Sequence, residues 1–121
     1  MIWAAQQEMY AGFEAGTKAR TDQHIHETAT LWDSGYWDMM RGVEGLEVIR
    51  AARPTGPDQP TVESLTALDP VIEVYGEIAI ARHNARVVYV EDVPDKLIRN
   101  TGIWRRFDEG WRLIHNHEET A

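Results

Sequence analysis

The stretch IAIARHNARVVYV, residues 78–90, decides how this chain folds. It is rich in β-branched side chains and free of glycine and proline, so it reads as one long strand. Alternation places Ala79, Ala81, His83, Ala85, Val87 and Tyr89 on one side and Ile78, Ile80, Arg82, Asn84, Arg86, Val88 and Val90 on the other. Both sides carry apolar groups, and both are therefore expected to be covered. Helices supply one cover, and a second copy of the chain, giving a two-fold homodimer through the outer sheet face, supplies the other.

Further extended runs surround this strand: Thr61 to Val74 with a bulge at Asp69-Pro70, Leu97 to Phe107, and Trp111 to Glu118, separated by YGE, EDVPDK and DEG. Four strands joined by short turns predict an antiparallel meander. Upstream the period is helical. Ile2, Ala5, Met9 and Phe13 form an apolar stripe on a helix from Ile2 to Glu14, which Gly16 ends. Thr21 or Asp22 can cap a short second helix reaching Glu27, with Ile25 on its buried face. A brief strand, Thr30 to Asp33, runs into a Ser34-Gly35 turn, and Val43, Leu46 and Ile49 mark a third helix from Val43 to Ala52. The prolines of ARPTGPDQP then force a loop. The expected fold is a single α+β domain over residues 1–121. It is a cone-shaped α+β barrel, with the N-terminal helices packed on a strongly curved antiparallel sheet around a hollow suited to a small hydrophobic ligand.

Composition narrows the functions. The 121 residues carry 20 acids against 12 Lys plus Arg, a net charge of −8 that opposes nucleic-acid phosphates. No apolar run approaches the roughly 20 residues of a membrane-spanning helix, and the N-terminal stretch lacks the pattern of a signal peptide. A mature, cytoplasmic chain without nucleic-acid or membrane partners is expected. With no cysteine, there are no disulfides, thiolate metal sites or thiol nucleophiles.

In the closing run GWRLIHNHEE, residues 110–119, simple alternation puts Trp111, Leu113, His115 and His117 together. Trp111 and Leu113 belong in a core, so both histidines are expected to line the hollow. On the same reasoning Trp104 and Ile114 extend the outer apolar patch.

Two strings, the stretch from Gly16 through ATLWDSGYWDMMRG (residues 29–42) and TGIWRRFDEGWRLIHNH (residues 101–117), resemble the nuclear transport factor 2-like superfamily. The first resembles its ketosteroid isomerase branch. The second resembles the closing hairpin of SnoaL-like proteins and of the association domain of calmodulin-dependent kinase II. The resemblance spans the whole chain and implies a fold more strongly than a function. It places Asp33 where the isomerase keeps its general base, and Ile103 where the isomerase keeps a protonated aspartic acid. Tyr10 falls one position from the isomerase's tyrosine, and His115 and His117 fall on pocket-facing positions.

Together these readings nominate Asp33, His115 and His117 as catalytic. Tyr10, His24, Trp32, Trp37, His83, Tyr89 and Ile103 are the candidate substrate-binding residues. A shielded carboxylate and an imidazole suit proton abstraction beside a carbonyl, with a hydrogen-bond donor for the oxyanion. The bland reading of Asp33 is a turn residue accepting backbone N–H groups. His115 and His117, with His24, His83 or Asp33, have the ligand count of a metal site; the expectation is that no metal and no cofactor is used. The competing class is a non-catalytic ligand-binding or dimerisation module.

Overall fold

The computed structural model describes residues 1–121. Three helices, α1 (Ile2–Ala15), α2 (Lys18–Asp22) and α3 (Gly42–Ala52), accompany six strands: β1 (Ile25–Asp33), β2 (Tyr36–Arg41), β3 (Val62–Tyr75), β4 (Ile78–Tyr89), β5 (Lys96–Phe107) and β6 (Gly110–Thr120). They form one sheet of order β2-β1-β6-β5-β4-β3. The last four strands make the expected antiparallel meander, but β1 runs parallel to β6, so the sheet is mixed. With helices on its inner face, the architecture is the cone-shaped α+β fold. No helix is long and apolar enough to cross a membrane.

Helix α1 buries Ile2, Gln6, Met9 and Gly12, one residue per turn, and Gly16 ends it in the left-handed region at φ 69°. Phe13 departs from that stripe. It is 44% exposed and lies under the Arg53 guanidinium. The second helix stops at Asp22 instead of reaching Glu27. Ile25 is drawn into the sheet opposite Leu113, and the Leu113 N–H donates to the His24 carbonyl. Strand β2 is an addition to the expected elements. It is an exposed edge strand whose YWDMMR sequence shows no apolar-polar alternation.

On β4 the inner residues Ala79, Ala81 and Ala85 are almost fully buried. Their small side chains leave room for α1 and for Trp104, which pairs with Ala79 and is completely buried. Trp104 therefore belongs to the core cluster with Ile2, Met9, Ile25 and Leu113, and not to the outer patch. The bulge at Asp69-Pro70 is present. The β3–β4 register shifts between Leu68 and Val71, and Asp69 takes φ 55°.

Candidate functional site

One residue in β6 determines which side chains enter the cone. Trp104 pairs with Leu113, yet the next β5 residue, Ile103, pairs with His115, leaving Ile114 unpaired. A single extra residue reverses the alternation beyond it. Leu113 stays inside and 1% exposed, but Asn116 and Glu118 take the inner positions that follow, opposite Gly102 and Asn100. His115 and His117 turn to the outer face beside Ile103 and Thr101.

Contacts agree with that register. His115 Nδ1 lies 2.6 Å from Thr30 Oγ1, and the Trp32 ring stands edge-on to His115 and His117 with centroids 6.0 and 5.4 Å away. Burial, followed by the neighbouring His117, pushes His115 below the ordinary imidazole value, against the opposing bond from Thr30. The expected inward orientation of His115 and His117 is thus corrected, and the cause is the Ile114 bulge. Ile103 and Trp32 share the outer face with them, and Trp37 on edge strand β2 is 94% exposed. None of these three lines the cone.

The inner wall holds a different polar group. Asp33 ends β1 with its side chain 15% exposed, its Oδ2 accepting from the Gly35 N–H at 2.9 Å and its Oδ1 3.9 Å from Arg53. The turn role of Asp33 is therefore real, but it occupies only one of the two oxygens. Ser34 donates to Glu118 Oε1 at 2.9 Å, tying the end of β6 to the same turn. Burial, then the charge of Asp33, raises Glu118 above 4.5, while the Ser34 bond, Arg53 and Lys96 act in the opposite direction. Tyr10 of α1 is also raised, by burial and then by the charge of Glu118. Its hydroxyl shares a 2.7 Å hydrogen bond with His83 Nε2. His83 is 5% exposed, and burial lowers it to about 4, so the imidazole is neutral near pH 7. Beside them Asn100 and Asn116 exchange two amide hydrogen bonds of 2.9 and 3.0 Å.

Asp33, Tyr10 and His83 thus share the interior. Tyr89 follows Val87 on the inner side of β4 and reaches the rim. His24 lies at the opposite end of the sheet, half-buried, its Nε2 without a partner. Burial lowers it, with Glu8 opposing and Arg112 assisting. The metal arrangement is not assembled: His83 faces inward, His115 and His117 face outward, and no cluster of three His or carboxylate side chains is suited to an ion. Glu118, Asn100 and Asn116 are interior groups absent from the residues nominated above. Asn100 shares the inner side of β5 with Trp104, but Glu118 and Asn116 are recognisable only once the bulge is known.

At the open end, a cavity of about 470 Å³ is lined by Tyr89, Lys96, Leu97, Thr120 and the Pro60 and Val93-Pro94 segments. Thr120 pairs with Ile98 two positions beyond Glu118 on the same face, so this cavity borders the end of β6 that carries Glu118, although neither Glu118 nor Asp33 lines it.

No family model matches the chain, and no curated protein matches it. Solved structures do. The CaMKII hub of S. rosetta superimposes with a TM-score of 0.80 at 19% identity over 99% of this chain and 94% of the hub. An NTF2-like protein of unknown function from Pseudomonas putida gives 0.79 at 16% identity, covering 98% and 82%. A protein of Parabacteroides distasonis provisionally assigned as a ketosteroid isomerase gives 0.76 at 16% identity, covering 99% and 85%. At such identities the likeness concerns the fold, and the fold is nuclear transport factor 2-like. The structures similar to it include both isomerase-like proteins and hub domains, so the fold leaves the activity open.

Proposed function

We propose that this chain is a cofactor-independent enzyme that moves a proton on a small carbonyl compound held in the mouth of the cone, with Asp33 as base and Glu118 as acid. The carrying observation is the pair itself: two carboxyl groups on one inner wall, the Glu118 carboxyl raised by burial and by the charge of Asp33. Environments that separate two carboxyls in this way assign one to accept a proton and the other to hold one. In the proposed step an Asp33 oxygen removes the proton next to the carbonyl. The carbonyl oxygen gains charge and takes a hydrogen bond from the protonated Glu118 and from the Tyr10 hydroxyl. Asp33 then returns its proton at another carbon, or a leaving group departs. Isomerisation, cyclisation by aldol addition and dehydration all begin with that abstraction, and the same acid–base pair is compatible with hydrolysis.

Deuterium incorporation next to the carbonyl, followed by NMR in heavy water on a panel of ketones and enones, tests this without knowledge of the substrate. Exchange above the buffer rate is expected, falling roughly a hundredfold or more in Asp33→Asn and in Glu118→Gln. Exchange indifferent to both substitutions removes the carboxyl pair from the chemistry, and absence of exchange across the panel overturns the enzymatic reading.

A specific observation also favours self-association. Outer-face Val71 and Tyr75 are 53% and 59% exposed and share that face with half-buried Ile78, Ile80 and Ile103; Val90, 65% exposed, lies on the same face beyond Arg82, Asn84 and Arg86. A sheet face this apolar is a liability in a monomer, and a two-fold homodimer through it is the proposed cover. If the carboxyl pair proves inert, assembly through this face is the remaining function.

A further inference from the structure

We propose that Lys96 is an anion anchor at the mouth of the cone, so that the compound bound there carries a carboxylate on an apolar body. The substrate part of this inference rests on the acid–base reading above; the anion site does not. Seven of the twelve Lys and Arg side chains have a carboxylate partner, and Lys96 has none. The acid beside it in sequence, Asp95, is engaged elsewhere, 3.8 Å from Arg86. Lys96 pairs with Val87 and so belongs to the inner face of β5, where it lines the mouth cavity with Tyr89, Leu97 and Pro94. The Lys96 ammonium forms no ion pair of its own, although Asp95 lines the same cavity and Glu118 feels its charge, and beside Tyr89, Leu97 and Pro94 it is complementary to an amphiphilic anion.

The same geometry orients the ligand. Lys96 and Asn100 are four positions apart on one face of β5, and Glu118 stands opposite Asn100. At about 3.3 Å per residue this separates the two levels by roughly 13 Å between Cα atoms, a gap that both side chains shorten. An anion held at Lys96 therefore points its remaining length down the cone, toward Glu118, with the carbonyl several bonds from the carboxylate.

The test compares 7-oxooctanoate with its methyl ester, measuring affinity by ligand-observed NMR and, in the same samples, deuterium exchange next to the ketone. The wild type is expected to bind the acid roughly tenfold more tightly than the ester; Lys96→Met should abolish that preference and Lys96→Arg should keep it. Equal affinities in the wild type, failure to bind either compound, or a preference that survives in Lys96→Met overturns the anchor. Exchange reads the acid–base function separately. Exchange of the ester without any preference for the acid leaves the carboxyl pair and removes Lys96. A lysine-dependent preference without exchange of either compound leaves Lys96 as a binding site and removes the carboxyl pair.

Discussion

Acidification should destabilise this protein through His83 in a window that can be calculated. The imidazole is 5% exposed, and burial lowers it from 6.5 to about 4. The folded state therefore refuses a proton that the unfolded chain accepts. Stability is fully present above the unfolded value, falls as the pH drops from 6.5 toward 4, and falls no further from this group below that. Between about pH 7 and pH 4.5 the difference integrates to roughly 2 kcal/mol. Other groups titrate in the same range, so the comparison must be with His83→Gln, which retains a hydrogen-bonding side chain toward Tyr10 and does not titrate. Urea unfolding followed by tryptophan fluorescence should give the wild type a loss about 2 kcal/mol larger than that of His83→Gln over this interval. Equal losses in the two proteins, or an NMR titration of His83 near 6.5, would refute the burial argument.

Three further outcomes are expected. Trp104→Ala should cost about 3–5 kcal/mol in urea unfolding, because the ring lies in the core against Ala79; a cost below about 1 kcal/mol would place it on the surface. Ile80→Glu on the outer face should leave the fold intact and halve the mass seen by light scattering, whereas an unchanged mass would move the interface elsewhere. Acidification should charge His115 only below the ordinary imidazole value, because burial and then His117 disfavour its charged form, and should thereby loosen a dimer that covers it. A dimer mass unaffected by pH until global unfolding contradicts that placement.

How much of this was readable beforehand differs by element, for physical reasons. From residue 61 onward the strands announce themselves by β-branched runs and turn residues, and the bulge at Asp69-Pro70 is legible because proline has no N–H for the ladder and aspartate tolerates positive φ. The bulge at Ile114 leaves no such mark. Isoleucine suits either side of a strand, and the extra residue is set by pairing across β5, which lies outside the local string. That one residue separates the expected site, with His115 and His117 inside, from the observed one, with Glu118 and Asn116 inside. Asp33, Tyr10 and His83 were legible as interior groups because they precede the bulge or lie on other strands. Trp37 misled for another reason: an aromatic beside a candidate base resembles a pocket rim, but here it sits on an edge strand that nothing covers.

The most direct test is a carboxyl-carbon NMR titration of Glu118 in the wild type and in Asp33→Asn. Glu118 should titrate above 4.5 in the wild type and shift downward when the Asp33 charge is removed, because burial and that charge are what raise it. A Glu118 that titrates at or below 4.5 and ignores the substitution would mean that the two carboxyls do not share the inner wall.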